Sequence, residues 1–128
     1  MKETKKETQY FLVAEAAYEN IVNRKMDFDA AWYASAKEHI DSEQSRKKVC
    51  PRSTFIGLCE SGDLKDIKEI KQSDSINYLY AKFAIAEWKK DQTITKSEMW
   101  NRVLNKFGKA KNHQGQLDVV MGVKKYWQ

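Results

Sequence analysis

The stretch Lys47-Lys48-Val49-Cys50-Pro51-Arg52-Ser53-Thr54-Phe55-Ile56-Gly57-Leu58-Cys59-Glu60-Ser61-Gly62 decides the fold, because it carries a helix with both ends marked. It holds the only proline of the chain and both cysteines. Pro51 reads as the first helical residue, where a missing N–H costs nothing, and Cys50 reads as its N-cap. Phe55, Ile56, Leu58 and Cys59 supply an apolar face, and Gly62 suits the left-handed position that stops a helix. A basic approach precedes the start, from Arg46 through Lys47 and Lys48 to Arg52.

Outward from this helix the apolar spacing stays helical. Tyr10, Val13, Ala14, Ala17 and Ile21 form one stripe and predict a first helix from about Glu7 to Arg24. Asp29 is read as the N-cap of a second helix carrying Trp32, Ala36 and Ile40. The polar run Asp41 to Lys48 is a loop with room for one helical turn. After Gly62, the link from Asp63 to Ser75 has an ambiguous pattern. A further helix is predicted over 76–89, with Tyr80, Ala84 and Trp88 on one face. Ser97 is read as the cap of the next, in which Trp100, Val103, Leu104 and Phe107 recur at helical spacing before Gly108. The last helix starts near Asn112 or His113 and carries Leu117, Val120, Met121 and Trp127. The fold class is therefore all-α, a compact bundle of about six helices in a single domain over 1–128.

Composition agrees. The chain has 128 residues, 41% hydrophobic and 32% charged, with four tryptophans, enough for one packed core and too apolar for disorder. One proline and five glycines are too few for a many-turned β fold. The net charge is +5, a mild excess compatible with an anionic partner without requiring one. The apolar run from Tyr10 to Tyr18 is interrupted by Glu15 and has no cleavage-type small-residue site, so a signal peptide is not expected. No run is long enough to span a membrane, and a cytoplasmic location is expected.

The order of the pieces suggests an internal duplication, residues 10–62 and 77–127, as two three-helix units. Ala14 and Ala17 correspond to Ala81 and Ala84, Trp32 to Trp100, and Gly57 to Gly122. The offset between partners is not constant, so short insertions are needed. Chance likeness between amphipathic helices gives the same pattern, and the sequence leaves both readings open.

Three groups of residues could carry function. The first is the helix start itself: unpaired N–H groups and the macrodipole attract anions, and Lys47, Lys48, Arg52 and Ser53 add donors. The second is Cys50, since a cysteine at a helix start beside cations favours the thiolate. Cys59 lies too far along the same helix to be its disulfide partner, and small apolar packing residues are the simpler reading of both thiols. The third is the run Lys109, Lys111, Asn112, His113 and Gln114, a second basic approach to a helix start. No catalytic triad, phosphate-binding loop, paired-carboxylate spacing or zinc set is readable, so no cofactor or metal is expected. A helix-turn-helix reader is disfavoured, because the second helix offers little basic or amide chemistry for base edges. Tyr33, Tyr78, Tyr80 and the tryptophans are read as core.

The block from Lys48 to Gly62, followed later by Asn112-His113-Gln114-Gly115-Gln116-Leu117-Asp118-Val119-Val120-Met121, resembles the paired signatures of an uncharacterised family of small bacterial proteins. Val49 stands where that signature has glycine. The family is a domain of unknown function, so the resemblance implies one recurring design for both helix starts and no reaction. The expected function is a non-enzymatic binding or adaptor module, its basic helix starts contacting an anionic protein or nucleic acid. The alternatives are a small thiol-dependent enzyme or redox sensor centred on Cys50, and a protein-interaction module that forms a homodimer.

Overall fold

The computed structural model describes residues 5–108, 113 and 115–128. Among them are six α-helices of seven residues or more, a four-residue helical turn and one 3-10 turn, with no strand. In chain order these are α1 (Lys5–Arg24), α2 (Phe28–His39), the short α3 (Glu43–Arg46), α4 (Val49–Glu60), α5 (Ile76–Lys90), α6 (Lys96–Phe107) and α7 (Gln116–Gly122), with the 3-10 turn at Lys124–Tyr126. The all-α bundle is as the periodicity predicts. No described helix is long and apolar enough to cross a membrane.

The short α7 is the centre. It packs on α1, α4 and α5, while α2 lies against α1 and α4, and α6 lies against α5. All its residues except Met121 are buried. The α1 stripe of Tyr10, Val13, Ala14 and Ala17 is buried, and its alanines keep the α1 face low where helices meet it. Trp32 packs on Phe55 at 5.4 Å between ring centroids, joining α2 to α4. Trp100 and Phe107 meet Tyr80 edge-on at 5.6 and 5.2 Å, joining α6 to α5.

Several helix starts differ from those read in the sequence. The cap of α2 is Asp27, whose carbonyl accepts from Ala31 N–H at 2.9 Å, and Asp29 sits in the first turn instead. The α4 helix begins at Val49 with Lys48 as N-cap, so Cys50 is its second residue and Pro51 its third. Proline is still tolerated there, because the first-turn N–H groups have no intrahelical acceptor. The cap of α6 is Thr95, not Ser97. Its hydroxyl accepts from Glu98 N–H at 3.1 Å, the spacing of a capping box. The α7 helix starts at Gln116, later than expected, and ends at Gly122. Trp127 is therefore outside it, anchored by its indole N–H on the Val120 carbonyl at 3.2 Å and by a bridge to Leu64.

The stop of α4 is as read. Gly62, at φ 74°, donates to the Cys59 carbonyl, and Asp63 N–H to that of Leu58, the two bonds of a Schellman motif. The link that follows is non-helical. Its Asp63 carboxylate accepts from the buried Tyr78 hydroxyl at 2.6 Å, and burial with that bond pushes the Tyr78 phenol up to about 12.

Two glycines set helix–helix distances. A Cβ on Gly57 would lie 2.5 Å from Tyr78 Cβ, and one on Gly122 would strike the Phe11 carbonyl oxygen. Replacing helical Gly57 with alanine gains at most about 1 kcal/mol of propensity. Forcing α4 away from α5 costs roughly 1–3 kcal/mol. The clash decides the sign: Gly57→Ala lowers the thermal midpoint in a circular-dichroism melt.

Between α5 and α6, Arg102 reaches Glu87 at 3.1 Å, and Lys90 reaches the same carboxylate at 3.2 Å. The Arg102 hydrogen bond, then that of Lys90, hold the Glu87 carboxyl below its ordinary value of 4.5. A depressed carboxylate stabilises the fold above its unfolded-state value, and that contribution fades as pH falls through the folded one. The gap in thermal midpoint between the wild type and Glu87→Gln is thus full near neutrality and closes as the buffer is taken below 4.5.

Candidate basic groove beside the start of helix α4

The polar run forms the one helical turn for which it has room, α3, ahead of Lys47 and Lys48. Ser42 caps α3 by accepting from Ser45 N–H at 3.3 Å. The Arg46 Nε donates to the Ile40 carbonyl at 2.6 Å, so its guanidinium closes the C-terminus of α2. Buried Tyr10 donates its hydroxyl to the Ser45 carbonyl at 2.8 Å, and its phenol is raised chiefly by burial. The last two ties fasten α3 to the end of α2 and to α1.

A groove of about 430 Å³ results, lined by Tyr33, Ala34, Lys37, Glu43, Arg46 and Lys47. Three cations face one carboxylate. Lys47 meets Glu43 at 3.1 Å, but both side chains are more than two-thirds exposed, so the pair is worth only about 0–1 kcal/mol and is readily exchanged. Among the described residues Lys37 makes no ion pair. Tyr33, read as core in the sequence, is 43% exposed. The reason is register: Ala31, Trp32, Ser35 and Ala36 form the buried face of α2, which leaves positions 33 and 37 on the neighbouring strip. Arg52 lies with its guanidinium 5.9 Å from the Tyr33 ring centroid and is tied to Asp29 at 3.3 Å.

Of the residues singled out in the sequence, Lys47, Lys48, Cys50, Arg52 and Ser53 share this helix start. Only Lys47 lines the groove, with Arg52 beside the Tyr33 ring. Cys50 is partly buried, and its carbonyl accepts from the Thr54 hydroxyl at 2.8 Å. Nine residues along one helix separate it from Cys59, about 13 Å, far beyond disulfide reach. Cys59 is fully buried and its thiol is pushed up by desolvation. Lys37, Tyr33 and Glu43 were missed. Their signal is the i, i+4 pairing of Tyr33 and Lys37 beside the apolar stripe.

The second helix start is built differently. Lys109, Lys111, Asn112 and Gln114 lie outside the described residues. His113 Nε2 accepts from Leu117 N–H at 2.8 Å, so the imidazole takes the place of a capping side chain for α7. Its ring meets Trp100 edge-on at 5.1 Å, beside a cleft of about 230 Å³ lined by Lys96, Ser97, Trp100, Asn101 and His113. Gln116 is buried and donates to the Asn77 side chain at 3.1 Å. The two starts converge on one side chain: the Tyr10 ring lies where a Cβ on Gly115 would fall, while its hydroxyl holds Ser45. Among the described residues no group of three or more His, Cys, Asp or Glu side chains could hold a metal ion.

A nitrogen that accepts a backbone hydrogen bond must be unprotonated. Long-range proton–nitrogen NMR is therefore expected to show His113 with its proton on Nδ1 and a bare Nε2. His113→Ala removes the cap and destabilises the fold by about 0.5–2 kcal/mol in chemical denaturation.

A family model described as a family of unknown function (DUF6979) matches residues 7–126, and the chain belongs to that family. No curated protein and no solved structure matches it.

Proposed function

We propose that the protein is a binding module that takes an anionic group of a partner macromolecule in the groove between α2 and α3. One observation carries this reading. The groove gathers Lys37, Arg46 and Lys47 around a single carboxylate, on a chain whose net charge is +5. Its volume of about 430 Å³ falls in the range of ligand-binding clefts. The walls are pre-formed, because Arg46 and Tyr10 fix α3 through backbone carbonyls. An anion entering there meets cations already in place, with little ordering left to do.

The roles differ by residue. Arg46 is a wall whose Nε is committed to the Ile40 carbonyl. Lys37 and Lys47 are the ligand contacts, the first without an ion pair among the described residues and the second in an exchangeable one. The test is retention on a heparin column with Lys37→Gln and Lys47→Gln together. The double variant is expected to elute at clearly lower salt, with the salt slope reduced by roughly one for each lost contact. Unchanged elution of a folded double variant would sink the reading.

A further inference from the structure

We infer that the groove receives one unpaired nucleotide of a single-stranded nucleic acid, with the base against Tyr33 and its phosphate on Lys37 and Lys47. This rests on the anion-binding reading above and names the ligand class for the same site.

Tyr33 is the departure point. Of the six tyrosines, four are buried and Tyr126 is half-buried, while Tyr33 alone is exposed, and it stands in the wall of the basic groove. A large aromatic ring left in water beside cations has unused apolar surface, and a nucleobase is the planar group that comes with a phosphate attached. Arg52 lies 5.9 Å from the ring centroid and pairs with Asp29 at 3.3 Å, so a cation already neighbours the ring before any ligand arrives. Ala34 next to it is small and leaves the space open.

The spacing of charge and ring agrees. Lys37 is one helical turn after Tyr33 on α2, which puts the two side chains on one strip about 5–6 Å apart at Cβ. A base on the ring therefore brings its own phosphate within reach of the Lys37 stem. Lys47 faces it from the α3 side and can exchange Glu43 for that phosphate. Two competing ligands use less of the site. An acidic peptide would satisfy the lysines and leave the Tyr33 surface in water. A duplex keeps its bases stacked inside and presents phosphates alone.

Fluorescence anisotropy with a dye-labelled oligothymidylate tests the inference, with a duplex of the same length and polyglutamate as competitors. The wild type is expected to bind the single strand more tightly than either competitor at equal salt. Tyr33→Leu is expected to weaken single-strand binding about tenfold, while Tyr33→Phe keeps it, since the ring and not the hydroxyl is used. Heparin retention of Tyr33→Leu stays at the wild-type level. Tyr33 is exposed, and matching circular-dichroism melts confirm that the variants fold. Equal affinity for duplex or polyglutamate, or no effect of Tyr33→Leu, overturns the nucleotide inference while the heparin result for the lysine variant still supports anion binding. Unchanged heparin retention of that lysine variant overturns both.

Discussion

The structure depends on burying a seven-residue helix from nearly every side. A helix this short cannot hold itself together in water, because its nucleation cost is spread over too few hydrogen bonds. Packing by α1, α4 and α5 supplies what propensity cannot. Burial creates a second demand, since the first-turn N–H groups and any polar side chain of α7 must then find partners inside the protein. His113 meets the first for one of those N–H groups, that of Leu117. The second is met by Asn77 for Gln116 and by Lys96 for Asp118, the latter at 2.7 Å. An acid in the first turn also suits the positive end of the helix dipole. The chemistry around His113 is thus the chemistry needed to bury α7.

The same logic separates the two basic helix starts. At α7 the described polar groups point inward and are engaged by the fold. At α4 the helix is longer, its N-terminus lies near the surface, and Val49 beside it is exposed. There the arginines do structural work, Arg46 on the end of α2 and Arg52 between Asp29 and Tyr33. Lysines at positions 37 and 47 stay on the outside of that scaffold. This division follows side-chain physics. The planar guanidinium fixes direction through several donors, whereas the ammonium on a flexible stem adapts to whatever anion arrives.

Much of the fold was legible because helical spacing survives in one dimension. The α1 stripe, the Gly62 stop and the face containing Trp100 and Val103 all follow from period and breaker residues. Helix starts were less legible, because several residues compete for each cap and tertiary packing chooses among them. Asp27 displaced Asp29 as Phe28 was drawn against the core, and Asp29 was left to pair with Arg52. Thr95 displaced Ser97, and here the sequence did contain the signal, since Thr95 and Glu98 have the capping-box spacing. The groove was half legible. Its Lys47 wall is written in the basic run, but the wall from α2 arises only when α3 folds back beside it, a contact that no local pattern encodes.

Tyr33 shows what such a contact changes. On the sequence alone, an aromatic residue next to Trp32 in an amphipathic helix belongs to the core, and burying it would be worth roughly 1.5–3 kcal/mol. The fold forgoes that gain, since Trp32, one position earlier, takes the buried direction against Phe55. A single exposed tyrosine is ordinary on any protein surface. One beside an arginine, a turn before Lys37 and in a groove with Lys47 on its other side, is a different object. The charged residues that line the groove all carry the same sign except Glu43, which Lys47 already engages. Apolar ring surface and convergent positive charge thus meet in one groove.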